Sequence, residues 1–223
     1  MKILLTKATF LGVLFSFSAC SARHDFVTYR ENMPQSILIL PPLNESNEVV
    51  LPDIALTLIP EYVAESGYYA FPPLVVQDYF RSNGAPSAAE INEIPYQTLR
   101  EVFGADAALK ITIKKYSYRY FVLYAGWDYK LELSLISLKT GVELWKRRVH
   151  VEDAAGGSGN PVRSAINAAV HAAIASASNK QNIMVKLTNK ALNVAIRNRR
   201  SGMLLGDRRP NKDLDKRGLV KKQ

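Results

Sequence analysis

A single cysteine, Cys20, stands among the 223 residues of this chain. No intramolecular disulfide can form, so packing alone must hold the fold. Histidine is nearly as scarce: His24, His150 and His171 lie far apart, without partners at metal-ligand spacing. No metal or cofactor is expected. No nucleophile, base and acid can be grouped for catalysis, so no enzyme activity is expected either. Gly156-Gly157-Ser158-Gly159-Asn160 fails the nucleophile pattern at its last position and lacks the Gly-Lys ending of a phosphate loop. It reads as a hinge. Long apolar runs are also missing. The stretch from Ala8 to Phe17 falls well short of the roughly 20 residues needed to span a bilayer.

That short run has its own meaning. Lys2 and Lys7 precede it, and Ser18-Ala19-Cys20 follows, the layout of an export signal with small residues before the cut. A cysteine just after the cut marks a bacterial lipoprotein signal. Position −3 is Phe17, where such signals more often have leucine. Residues 1–19 are therefore read as the signal peptide and Cys20 as the lipid attachment site, bearing palmitate-type chains. Two or three chains anchor stably where one holds only marginally. Ser21, in place of aspartate, fits an outer-membrane address, with the protein facing the periplasm or the surface.

Charge is unevenly spread. The chain carries a net charge of +9, yet residues 180–223 hold 13 Lys/Arg against 3 Asp/Glu, leaving 16 against 17 before them. The basic character belongs to the C-terminal region alone. Behind an export signal, nucleic acid is not an expected partner.

Residues 20–35 read as a polar tether. Ser36–Leu40 is a short buried strand closed by Pro41-Pro42. A helix over 52–66 follows, kinked or restarted at Pro60 and capped by Gly67. Tyr68–Phe71 is a second strand, so a right-handed parallel crossover is expected. Helices are expected over 73–81 and 95–103. From Ala107 the period becomes that of strands: Leu109, Ile111 and Ile113, then Tyr116, Tyr118 and Tyr120. The parity switch at Lys114-Lys115 predicts a bulge. A turn near Ala125-Gly126, a second strand from Trp127, a tight turn at Lys139-Thr140-Gly141 and a last strand over 142–151 complete an antiparallel meander. Asn160-Pro161 starts a helix. Its Val162, Ile166, Val170 and Ile174 recur every four residues beside an alanine row that would let it lie close to a sheet. His171 is placed on its polar face, in solvent. A last helix is expected over 182–199. The fold class is α/β: a mixed sheet with an early parallel crossover and a late antiparallel meander, helices mainly on one face, and C-terminal helices, all in one domain over 36–199. Residues 200–223, basic and poor in apolar side chains, are expected to be disordered.

Four stretches carry a resemblance: Ile37-Leu38-Ile39-Leu40-Pro41-Pro42-Leu43-Asn44-Glu45-Ser46, Glu65-Ser66-Gly67-Tyr68-Tyr69-Ala70-Phe71-Pro72, Phe103-Gly104-Ala105-Asp106-Ala107-Ala108-Leu109 and Lys139-Thr140-Gly141-Val142-Glu143-Leu144-Trp145. In these and in the order of elements, the chain resembles the neisserial genome-derived antigen lipoprotein family, whose function is unknown, over about residues 20–185. It is also similar to the wider set of periplasmic domains like the TolB N-terminal domain. The resemblance implies a cell-envelope component, partnered with a curli-channel-type lipoprotein and a third small lipoprotein, without enzyme activity. The tail after residue 200 lies outside it. The residues agree with structural roles: Gly104 for a helix exit, Asp106 for backbone amides at the turn, Trp145 for the core.

Two surfaces are candidates for binding. Tyr116, Tyr118, Tyr120 and Tyr124, with Trp127, form an aromatic stripe that either faces a partner or is covered by helices of the same chain. Lys186, Lys190, Arg197 and Arg200 share one helical face and either meet water or contact anionic lipid. The leading expectation is a lipid-anchored scaffold or accessory in an envelope secretion or transport assembly, with other envelope lipoproteins as partners. The alternative is a self-assembling ring whose Tyr-rich hairpin enters the membrane as part of a pore.

Overall fold

Three long strands dominate the architecture: β4 (Ala107–Phe121), β5 (Tyr124–Ser137) and β6 (Glu143–Gly156). A computed structural model describes residues 26–156, 159–210 and 212–217. Alternation in β4 buries Leu109, Ile111 and Ile113, and the register with β5 shifts between Ile113 and Lys115. The bulge lets Tyr116 take the inward parity where a regular strand would have pointed it out. The short apolar strand β1 (Ser36–Ile39), buried on both faces, pairs in parallel with β4 and with β3 (Tyr69–Ala70). A further two-residue strand, β2 (Leu43–Asn44), also joins β4 in parallel. The sheet order is β3-β1-β4-β5-β6, a mixed sheet with the expected crossover and meander.

The crossover helix α2 (Leu51–Glu65) runs through Pro60 as one element. With α7 (Lys180–Ile196) it packs on the larger core, against Ile37, Ile39, Leu109 and Leu133. Three shorter helices, α3 (Pro73–Ser82), α4 (Ala88–Glu93) and α5 (Tyr96–Phe103), enclose Leu38, Leu40 and Ala108 on the opposite face. Gly104 caps α5 at φ 65°. Asp106 then accepts from the amides of Gln35 and Ser36, both 3.0 Å away. Its partners come from across the sheet, not from its own turn.

Three expectations need correction. Residues 20–35 are not a tether throughout. Helix α1 (Phe26–Glu31) is packed down, with Tyr29 fully buried and its hydroxyl 3.0 Å from that of Tyr68. The segment after residue 200 is folded, not disordered, over its described residues. Met203 and Leu204 are buried, the Tyr68 hydroxyl donates to the Leu204 carbonyl at 2.7 Å, and the Trp145 indole N–H donates to Ser201 at 2.9 Å. A side chain on Gly67 would come within 2.7 Å of the Gly206 carbonyl, so this glycine lets the two segments touch. Two apolar residues and a set of backbone bonds outweighed the polar composition around them. The hairpin turn lies at Val122-Leu123, because Phe121 pairs with Tyr124. Gly126 is mid-strand, where a side chain would meet the Ala154 methyl at 2.5 Å.

Candidate functional site

Beyond the last residue of β4 paired to β2, Ile113, the sheet continues as three strands only. This projecting part carries the five aromatic residues nominated from sequence. Its inner face is lined by Tyr116, Tyr118, Trp127 and Tyr129 and covered by α7 and by α6 (Pro161–Ala177). The Trp127 ring lies 5.0 Å from that of Tyr116 and 4.8 Å from that of Tyr118. The chain's own helices thus cover half of the stripe. Tyr116 is buried, and Tyr118 and Trp127 are half-buried. Burial pushes the Tyr116 and Tyr118 phenols up. Among the described residues, the hydroxyls of Tyr116 and Tyr118 and the Trp127 indole N–H have no hydrogen-bond partner. Such orphans cost about 1–3 kcal/mol each.

The outer end of the stripe is open. Tyr120 is 55% exposed, and Phe121, Val122 and Leu123 at the turn are 62%, 74% and 45% exposed. Tyr124 is half-buried, with the Arg119 guanidinium 5.8 Å from its ring. Sequence reasoning missed Phe121-Val122-Leu123. Its signal was an apolar run without turn-forming residues where the strand pattern had to reverse.

Helix α6 also departs from expectation. Asn160 caps it, its side-chain oxygen accepting from the amides of Val162 and Arg163 at 3.0 and 3.1 Å. The face against the sheet is Ser164, Ala168, His171 and Ala175. His171 stacks on Tyr118, centroids 6.2 Å apart, and is not a solvated residue. The row Val162, Ile166, Val170 and Ile174 points outward instead. Its small residues fit against the aromatic strands, which turns the large ones away.

On the opposite face of the projecting strands, Asp128 is almost fully buried. It accepts from Lys115 at 2.6 Å and His150 at 2.7 Å, with Arg119 at 3.5 Å. Burial alone would raise this carboxyl, but the bonds from Lys115 and His150 outweigh it and hold the group below its ordinary range. Glu152 lies 3.3 Å from His150. Asp128, His150 and Glu152 form a three-residue group that sequence spacing could not show, since strand pairing assembles it. Lys115 and Arg119 already supply the positive charge that Asp128 needs, so the group reads as an ion-pair network rather than a metal centre.

The basic row of α7 is largely engaged within the chain. Lys186 pairs with Asp153 at 2.8 Å, Lys190 donates to the Glu152 carbonyl at 2.8 Å, and Arg197 pairs with Glu65 while lying 4.5 Å from the Tyr62 ring centroid. Arg200 is exposed. Cys20 lies outside the described residues.

At the other end of the sheet helix α1 meets the last described residues, 212–217. Arg217 donates to the carbonyls of Gly202 and Met203, each at 2.8 Å, and to Asp215 at 2.6 Å. Its guanidinium lies 4.9 Å from the Phe26 ring, and Arg30 of α1 donates to the carbonyls of Asp215 and Arg217. Bonds from Arg217 outweigh burial and keep the Asp215 carboxyl low. A cavity of about 600 Å³ beside this clasp is lined by Glu65, Arg197, Arg209 and Arg217, most of whose charges are already engaged. No helix among the described residues is long and apolar enough to cross a membrane.

The family model described as "Putative lipoprotein GNA1162-like" matches residues 24–208. A protein of Neisseria meningitidis serogroup B, described as "Putative lipoprotein NMB1124/NMB1162", is 31% identical over 204 residues, covering 89% of this chain and 94% of its own. The crystal structure of lipoprotein GNA1162 from Neisseria meningitidis aligns at 33% identity with a TM-score of 0.52, over 64% of this chain and 99% of that one. The C-terminal domain of LpoB from Salmonella enterica aligns at 13% identity and a TM-score of 0.38, over 58% and 95%.

Proposed function

The chain belongs to the GNA1162-like family of lipoproteins, and on that premise we propose that it is a non-enzymatic envelope component, anchored through lipid on Cys20 and serving as a scaffold or accessory in a secretion or transport assembly. The observation that carries this reading is the placement of the two ends. The step from Cys20 to the packed helix α1 spans at most about 20 Å, so the clasped end of the domain stays near the lipid. Strand β6 runs from the clasped end, where Trp145 meets Ser201, to the hairpin. Its 14 residues cover about 45 Å. The exposed tip is therefore held away from the anchor and presented to other envelope components.

The exposed tip also favours, as a second reading, a hairpin that enters the membrane. A spanning strand needs about 9–11 residues with a continuous lipid-facing row. Lys115, Arg119 and the Asp128 network lie in the way on one face, and α6 covers the other. Partner presentation is the better supported role.

Two measurements test the proposal in order. Radiolabelled palmitate should enter the chain and be lost in Cys20→Ser; equal labelling of both would remove the anchor. Mild crosslinking on intact cells should then co-purify another envelope lipoprotein. Recovery of this protein free of any other envelope component would overturn the accessory role.

A further inference from the structure

The outward face of α6 is built as a ridge beside a groove. Val162, Ile166, Val170 and Ile174 are 67%, 58%, 53% and 60% exposed. Alongside them runs a second row at the same spacing, Ala165, Ala169, Ala173 and Ala177, of which the last three are exposed. Rows four residues apart are the ridges that interlock when two helices cross at about 50°, the commonest crossing in globular proteins. A bulky ridge next to an alanine groove is complementary to its own copy: each ridge fits the other helix's groove. We infer that this face, with the hairpin tip beside it, joins two copies of the chain about a two-fold axis lying in the contact plane near Ala169 and Val170.

Charge points to the same occupant. In 17 residues α6 has one permanently charged side chain, Arg163. In an antiparallel pair each Arg163 lies by the partner's α6 C-terminus, where the free carbonyls favour a cation. A membrane-surface helix would instead carry several Lys or Arg beside Trp, Phe or Leu, and α6 has none of those three. Area decides what else must take part. A stable interface needs about 800 Å² from each partner. A helix face about 25 Å long and 10 Å wide gives only roughly a third of that. The tip supplies the remainder: Tyr120, Phe121, Val122 and Leu123 are exposed together, and α6 begins five residues after β6 ends at its pair with Tyr124. The same two-fold brings each tip toward the far half of the partner's α6.

The inference deepens the assembly role proposed above but does not depend on Cys20, so its test is run in the full chain carrying Cys20→Ser as well as in the detergent-purified protein. Sedimentation equilibrium should give twice the chain mass in both. Ile166→Glu replaces a side chain that is 58% exposed, so its circular dichroism and melting midpoint should match the parent. Its dimer dissociation constant should rise at least about thirtyfold, the effect of losing a central hot spot. Ala169→Cys, the sole thiol in the Cys20→Ser background, should oxidise to a disulfide-linked dimer, because alanine-lined crossings bring backbones close. A monomeric parent at 100 μM, association unchanged by Ile166→Glu, or no disulfide at position 169 would each overturn the inference. So would a monomer whose α6 row instead binds anionic vesicles and loses that binding in Ile166→Glu.

Discussion

The two ends of this molecule are packed by opposite rules. At the clasped end a guanidinium from the last described residue is shared among three carbonyls and a carboxylate, and the apolar residues Met203, Leu204 and Tyr29 are inside. At the hairpin end polar atoms of Tyr116, Tyr118 and Trp127 are buried without partners among the described residues, while Phe121, Val122 and the α6 row stand in water. One end is complete as a single chain. The other breaks local packing rules on both sides of its helix, and such breaks concentrate where proteins meet something else. On the proposed reading, fold and function occupy different ends of one sheet.

The largest expected effect lies at the complete end. Arg217→Ala should destabilise the domain by about 3–5 kcal/mol, because it removes the bonds to the Gly202 and Met203 carbonyls and leaves Asp215, whose side chain is only 7% exposed, with Arg30 at 4.0 Å as its remaining cation. Chemical denaturation measures the loss. Hydrogen exchange should show α1 opening first, since Phe26 and Arg30 both rest on this segment. A variant as stable as the parent would mean that the C-terminal segment only decorates the surface.

Asp128 should come next, at about 1–3 kcal/mol for Asp128→Asn, since its cations Lys115 and Arg119 are partly exposed and lose less. This site also sets a pH dependence. A carboxyl held below its unfolded value of about 3.9 gives its full stabilisation at neutral pH and loses it as pH falls through the lower folded value. Asp128 and Asp215 are both held low. Stability should therefore fall steeply below about pH 4, and Asp128→Asn should flatten that fall. A midpoint insensitive to acid in both proteins would show that neither network is formed in solution.

How much of this contrast was legible in the sequence follows from the range of the interactions. The parallel crossover, the three-strand meander and the bulge at Ile113/Lys115 are written in local periodicity, and the structure has them. Gly104 and the Asn160 cap are local chemistry and were readable for the same reason. The clasp was not, because it joins residues 185 or more apart through backbone carbonyls, which carry no sequence signature. The orientation of α6 was misread for another reason. An amphipathic row shows which face is apolar but not that small side chains are what fit over Tyr118 and Trp127. Among the nominated binding residues, Tyr116, Tyr118 and Trp127 proved to be covered, whereas Tyr120 is open beside a tip that no propensity rule flagged as a turn.

The smallest expected effect on stability sharpens the comparison most. Val122→Asp changes a side chain that is 74% exposed. It should alter unfolding free energy by no more than about 0.5 kcal/mol, as exposed positions usually do. If the hairpin end is made for contact, the same change should still weaken self-association and remove crosslinks to other envelope proteins. If it is only a blunt end of the fold, both should survive unchanged. A stability loss of several kcal/mol would fit neither case, because it would place Val122 inside a core that the sheet geometry does not provide. The discriminating measurement is therefore the pair of numbers together, unfolding free energy and association, on one variant at the far end from the clasp.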